Sequence, residues 1–217
     1  MTKIIISLGG SVYYPKQFRN KYLHNLFKLL SEYQNQYIIV CGGGASARNK
    51  IKQLGNVSDE TKDLAGIEAI NENIMKIADI AYNYFDKLKI VENYKDVKGR
   101  FNFIVGAKQT GHSSDWDAVA VARNLKVKSI LNLSDTDGIY NKNPKKYKTA
   151  KQIKEISWNE YLKLVGEERP GGHYPFDPVA SKSAKRSKIN VYFVNGNKIS
   201  KIKKFLENNK FDSIIES

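Results

Sequence analysis

Five short apolar runs, separated by segments of helical periodicity, constrain this chain more than any other feature. They read KIIISL at 3–8, QYIIV at 36–40, NFIVG at 102–106, KSILNLS at 128–134 and INVYFVN at 189–195. Helical patterns fill the intervals at 18–33, 45–54, about 60–84, 115–125, 157–165, 177–187 and about 198–207. The longest carries Leu64, Ile67, Ile70, Ile74, Ile77 and Ile80 as its apolar set, after a polar Ser58-Asp59-Glu60 start. Short buried strands alternating with helices specify βαβ units, and so an α/β fold with a mainly parallel sheet covered on both faces. In such sheets ligands bind beyond the carboxyl ends of the strands. Four runs stop in glycine or small polar residues: Gly9-Gly10-Ser11, Gly42-Gly43-Gly44, Gly106 to Ser114, and Ser134 to Gly138. All four are expected on one edge of the sheet.

At 217 residues the chain fits one domain, or two small lobes sharing a sheet, and a chain of this size buries roughly 70% of its unfolded surface. Cys41 is the only cysteine, which excludes an intrachain disulfide framework and a cysteine metal cluster. No apolar run reaches the roughly 18 residues of a membrane span, and the first residues lack a signal-like apolar segment. A cytoplasmic protein is expected, with no membrane partner. The net charge of +14 favours anionic partners such as nucleotides. The lysines are spread along the chain without a long basic block, so no specific nucleic-acid site is expected.

The triple glycine in IIVCGGGASARNK is the sharpest local signal. One glycine suffices for a strand-to-helix turn; further ones let a ligand approach backbone amides closely. The N-terminus of a following helix favours an anion, and Arg48, about one turn in, can fork onto phosphate oxygens. Gly42-x-Gly44-x-x-Ala47 with Asp63 also matches a dinucleotide fingerprint, but the acid would have to end a second strand, and here DLAGI opens a helical stretch. No P-loop spacing occurs. In GAKQTGHSSDWDAVAVA, Lys108, Thr110, Ser113 and Ser114 offer donors, and Asp115 either caps a helix or binds Mg²⁺. His24, His112 and His173 are isolated and lack metal spacing. Tyr140 either packs on a base or covers the core. RPGGHYPFDP at 169–178 is either a mobile cover or a rigid connector.

These loops in this order resemble the amino acid kinase family, in its archaeal-type UMP kinase branch. The carriers are LGGSV, VCGGGASAR, DLAGI, GHSSDWDAVAVA, LSDTDGIYNKNP and DPVASKSAKRSKINVYFVNG, which span nearly the whole chain. The resemblance implies a three-layer αβα sandwich in one domain, 1–217, with an acceptor half at about 1–125 and an ATP half at about 126–217. It implies transfer of a phosphoryl group from ATP to UMP, with Mg²⁺ accompanying ATP and no metal held by side chains alone. Arg48, Asp115 and Gly10 are the implied catalytic group. Ser7, Leu8, Gly9, Gly10, Ser11, Gly44, Arg48, Ser134, Asp135, Tyr140 and Asn143 fall at ATP positions. Gly43, Asp63, Lys108, Gln109, Thr110, Gly111, His112, Ser113 and Ser114 fall at UMP positions. The family also implies a homo-oligomer, a hexamer built as a trimer of dimers. Four features depart from the pattern, the mildest being Ser113-Ser114 in place of two commoner threonines, which keeps the hydroxyls. Ser7 stands where many relatives carry a phosphate-neutralising lysine, with Lys108 and Lys182 as candidate substitutes. Asn71 stands where an arginine is common near the acceptor. Asn143 replaces an aspartate.

Overall fold

The computed structural model describes residues 2–167 and 174–217. In chain order the strands are β1 (Lys3–Leu8), β2 (Gln36–Cys41), β3 (Leu88–Val91), β4 (Asn102–Val105), β5 (Ser129–Ser134), β6 (Ile139–Tyr140), β7 (Gln152–Ile153), β8 (Glu155–Ser157), β9 (Asn190–Asn195) and β10 (Ser213–Glu216). The helices are α1 (Gly10–Tyr13), α2 (Asn20–Ser31), α3 (Gly44–Gln53), α4 (Asp59–Ala81), α5 (Ser114–Asn124), α6 (Trp158–Val165), α7 (Pro178–Ser187) and α8 (Ile199–Asn208). One sheet runs in the order β3-β4-β2-β1-β5-β9-β10-β8, and β6 pairs with β7 in a separate ribbon. All neighbours in the large sheet are parallel except β9 and β10. The mainly parallel αβα expectation holds.

The strict alternation of strand side chains splits the core in two. Ile6, Leu8, Ile39, Cys41, Leu131 and Leu133 face α2, α4 and α8. Ile5, Ile38, Val40, Phe103, Ile130 and Phe193 face α5, α6 and α7. Both faces of the central strands are fully covered, which is why these runs read as continuous hydrocarbon. Caps mark several helix starts: Ser58 accepts from the Thr61 amide, Ser157 and Glu160 form a reciprocal capping box, and Asp177 accepts from the Ala180 amide at 2.6 Å. Asp115 is not a cap. Ser113 takes that position and accepts from the Trp116 amide at 3.2 Å, which leaves Asp115 inside the first turn of α5.

Leu64 departs from its expected place in the α4 core stripe. It is 55% exposed, together with Met75 at 54% and Tyr82 at 53%. Ile74, Ile77 and Ile80 are buried as expected, because only the second half of α4 packs under the sheet.

β10 is held by a charged cluster rather than by hydrocarbon alone. Asp137 accepts from Lys198 at 3.0 Å, from Lys201 at 2.7 Å and from Asn195 Nδ2 at 3.0 Å. Lys201 also pairs with Asp212, whose other oxygen accepts from the Asn195 amide at 2.8 Å. Burial opposes ionisation of Asp137, yet the two lysines and Asn195 hold its carboxyl down to about 2. Ser213 Oγ accepts from the Ile139 amide and donates to the Ile153 carbonyl, joining β6 and β7 to the start of β10.

Candidate active site

A cleft of about 880 Å³ opens over the carboxyl ends of β1, β2 and β5 and the first turn of α5. Its floor is made by two glycine turns in direct contact. A Cβ on Gly10 would lie 2.0 Å from the Gly44 nitrogen, and one on Gly42 would lie 3.0 Å from the Gly10 nitrogen. Gly44 has φ +65°, the left-handed region that favours glycine, so it can end β2 and open α3 within a single turn. Backbone bonds hold the two turns together: Gly9 N–H donates to the Leu133 carbonyl at 3.0 Å, Gly42 N–H to the Leu8 carbonyl at 3.0 Å, and Ala45 N–H to the Tyr14 carbonyl at 2.8 Å. No described residue accepts a hydrogen bond from the amides of Gly10, Ser11, Gly43, Gly44 or Ser46. Unpaired donors crowded at two touching turns can receive an anion.

Buried polar groups support this floor from behind. Asn73, 1% exposed on α4, donates to Ser46 Oγ at 2.7 Å and to the Gly43 carbonyl at 3.3 Å. Tyr13 donates its hydroxyl to the Gly42 carbonyl. Neither residue stands out in the sequence. The only trace they leave there is an asparagine in the apolar phase of a long helix and a second aromatic beside Tyr14.

Asp115 is half-buried in the cleft wall, and its two oxygens are divided between elements. Oδ1 accepts from Ser7 Oγ at 3.1 Å, and Oδ2 accepts from the Asp177 amide at 3.0 Å. Burial pushes the carboxyl up to about 7; the Asp177 amide and the Ser7 hydroxyl work against that rise, while the charge of Asp177 adds to it. Asp115 thereby ties β1, α5 and the start of α7 together. The described end of the 169–178 segment is anchored here and by Tyr161, whose hydroxyl donates to the Phe176 carbonyl and accepts from its amide, both at 2.7 Å. Residues 169–173 of that segment lie outside the described residues, and Tyr174 and Pro175 line the cleft.

Of the ATP-side residues, Ser7, Gly9, Gly10, Ser11, Gly44, Arg48, Ser134, Asp135, Tyr140 and Asn143 all line this cleft. The Leu8 side chain does not: it is fully buried in the core, and only its backbone belongs to the turn. Arg48 is exposed at the rim, with one long contact of 3.5 Å to the Pro15 carbonyl. Asn143 accepts from the Lys145 amide at 2.9 Å and shapes its own turn. Neither Lys108 nor Lys182 lines the cleft. The lysines that do are Lys142 and Lys145, the latter paired with Asp135.

Gly43 and Ser114 of the acceptor-side residues also line the cleft. The remainder gather beside it, where Asp63 on α4 accepts from the Gly111 amide at 2.7 Å. Lys108, Gln109, Thr110 and Gly111 are exposed. His112 stacks on Trp116 with ring centroids 3.6 Å apart, and burial lowers its pKa. Asn71 clamps the start of this loop: it donates to the Ala107 carbonyl at 3.0 Å and accepts from the Ala107 amide at 3.1 Å. Gly106 must be small for this, because a Cβ there would lie 2.4 Å from Asn71 Oδ1. Of the segment after β4, Ser114 lines the cleft, followed by Asp115 in the first turn of α5.

Among the described residues no cluster of three or more acidic, histidine or cysteine side chains could hold a metal ion. The carboxylates in the cleft, Asp115 and Asp135, suit a Mg²⁺ carried by phosphates and water rather than by a protein cage.

Comparison with known proteins agrees with this geometry. Residues 97–195 match the amino acid kinase family. The uridylate kinase of Methanococcus aeolicus is 31% identical over 98% of this chain and 99% of its own length. That of Methanobrevibacter smithii is 31% identical over 89% of this chain and 90% of its own. The crystal structure of uridylate kinase from Archaeoglobus fulgidus superposes with a TM-score of 0.82 at 26% identity, covering 99% of this chain and 100% of that one. Full-length similarity at that level, together with two touching glycine turns over parallel strand ends, places the chain in the amino acid kinase family, among its members similar to archaeal uridylate kinases.

Proposed function

We propose that this chain transfers the γ-phosphoryl group of ATP to the phosphate of UMP, yielding ADP and UDP. The observation that carries the reading is the contact between Gly10 and Gly44, which brings two sets of unpaired amides into one cleft. A reaction between two polyanions needs such a meeting point. An oxygen of the acceptor phosphate forms the new bond to Pγ as the bond from Pγ to the β–γ bridging oxygen breaks, and the electron pair leaves with ADP. Little covalent work falls to the protein; positioning and charge stabilisation supply the rate.

In this reading the Ser7–Ser11 turn and Gly44 hold the ATP phosphates, and Ser134, Asp135, Tyr140 and Asn143 hold the rest of the nucleotide. Gly43 receives the acceptor phosphate, Gly44 and Arg48 face the transferred phosphoryl group, Asp63 holds the ribose hydroxyls, and residues 108–114 enclose the base. The division into an acceptor half at about 1–125 and an ATP half at about 126–217 belongs to the same proposal. Asp115 keeps Ser7 and the start of α7 in place. Mg²⁺, bound with ATP beside Asp115 and Asp135, would neutralise phosphate charge.

The proposal places the reaction in the cytoplasm; among the described residues no helix is long and apolar enough to cross a membrane. The exposed Leu64 and Met75 on α4 and Tyr82 at its end are consistent with a homo-oligomer of the hexameric kind, which light scattering on the purified protein would size.

The test is ADP release with ATP, Mg²⁺ and a panel of acceptors: UMP, CMP, dTMP, AMP, GMP, isopentenyl phosphate, acetylglutamate and carbamate. UMP-dependent turnover is expected, with Asp63→Asn raising the KM for UMP and sparing that for ATP. Silence with every nucleoside monophosphate would overturn the reading, and turnover with a different acceptor would move the error to the acceptor pocket.

A further inference from the structure

The sheet register sets four side chains in a row across the strands beneath the cleft: Val40, Ser7, Asn132 and Phe193. All four face the α5 side, where the core is hydrocarbon. The outer two are fully buried apolar groups and the inner two are polar. Ser7 has its partner in Asp115. Asn132 has none. It is 4% exposed and lines the cleft, yet its carboxamide makes no hydrogen bond with any described residue. Nor is that carboxamide sealed off: among the described residues the enclosed side-chain polar atoms lacking a partner are Tyr22 Oη and His112 Nδ1.

No described residue pairs with this carboxamide, so its hydrogen bonds are left to whatever fills the cleft. A leucine or valine would suit the strand better, so a polar residue here requires a reason, and the open side of this one is the cleft. Charge then decides its role. Asp115 stands beside Ser7, so a phosphate settling there meets a carboxyl group, and the chain has no lysine at the Ser7 position. A carboxamide supplies two N–H donors without needing a counter-charge.

We infer that Asn132 is a further catalytic residue, whose Nδ2 donates a hydrogen bond to an oxygen of the phosphoryl group in transfer. The inference rests on the phosphotransfer reading above. Negative charge spreads over the equatorial oxygens of that group as it moves, so the bond strengthens in the transition state and acts on kcat more than on KM. Asn132 keeps its protons throughout.

Three variants test this in the full-length protein with ATP, Mg²⁺ and UMP. Asn132→Leu, close in volume and well suited to a strand, keeps or raises the melting temperature. It lowers kcat by about 100-fold and leaves both KM values within about threefold, the size expected for one lost transition-state donor. Asn132→Ala behaves alike. Asn132→Asp loses the donor as a carboxylate and regains it as the acid, so its activity relative to wild type rises as the pH is lowered. The inference is overturned if Asn132→Leu keeps kcat within about twofold of wild type, or if its loss of kcat is matched by a loss of folded protein. A wild-type chain silent with UMP and with every other acceptor of the panel would overturn the kinase reading and this inference with it, whereas an active wild type with an unaffected Asn132→Leu would sink this inference alone.

Discussion

Gly10 shows how little room the floor of the cleft allows. Adding one methyl group puts a carbon 2.0 Å from the Gly44 nitrogen and 2.9 Å from the Gly42 carbonyl, both backbone atoms. Gly10→Ala must push the two turns apart, at about 1–3 kcal/mol for overpacking. The larger effect falls on activity: a drop in kcat/KM of about 100-fold is expected, because the amides on both sides lose their common aim. Thermal melting and ADP release on the same preparation separate the two effects. Asn71 makes the opposite point. By resemblance it is a departure at an acceptor-side position, yet its carboxamide closes both backbone groups of Ala107. Asn71→Ala leaves that pair unsatisfied, costs about 1–3 kcal/mol, and raises the KM for UMP while sparing ATP; steady-state kinetics with each substrate varied decide it. The glycines were legible in the sequence because a turn alone needs one of them, and a strand that stops at three leaves its amides open to a ligand. The position of Asn71 near the acceptor was legible through the resemblance, but its clamp on Ala107 and the support Asn73 gives the floor were not, since the backbone a helix side chain meets is set by the loop packed against it.

At the scale of elements, α5 carries a cost that a titration can expose. Asp117 is 8% exposed, its carboxylate has no partner among the described residues, and burial pushes it up to about 7 from 3.8. The folded state therefore holds a proton that the unfolded chain has released between those two values, so this group makes stability fall as pH rises from about 4 to about 7 and contributes a constant penalty above. Asp117→Asn should raise stability at pH 8 by about 1–3 kcal/mol and flatten part of the slope below pH 7, as read by urea unfolding at several pH values. Asp115, raised by the same cause, keeps its own share of the slope. The central strands and most helices were readable because both faces of a parallel strand are covered and several helices begin at a capping side chain. β3, β8 and β10 were not, for the converse reason. They lie toward the edges of the sheet, span 4, 3 and 4 residues, and their neighbours, not their composition, make them strands.

The whole molecule couples a basic surface to a cleft for anions. With a net charge of +14, capture of ATP and UMP should weaken as salt screens the surface: both KM values rise between about 50 and 200 mM salt while kcat holds. A salt series of initial rates checks this. Acid acts elsewhere. Asp137, held down to about 2 from 3.8 by Lys201, Lys198 and Asn195 against its burial, contributes stability that is fully present above about pH 4 and lost as pH falls toward 2. Asp137→Asn should lower the melting temperature at pH 7 and remove that part of the acid sensitivity, as followed by calorimetry from pH 7 to pH 2.

The place of β10 sets an order on how the molecule is made. The four strands on the β3 side of the sheet, β3, β4, β2 and β1, all come from the first 105 residues and pair with one another in parallel. Among the described residues β8, at 155–157, pairs with β10, at 213–216, and with no other strand. A chain leaving the ribosome from its amino end can therefore close one side of its cleft early, while β8 waits as an unpaired edge for about 55 residues of further synthesis, counted from the element bounds. The two touching glycine turns are in hand long before the wall that would enclose a nucleotide against them, so the nascent chain passes through a stage with their unpaired amides open to solvent and no second side to the cleft.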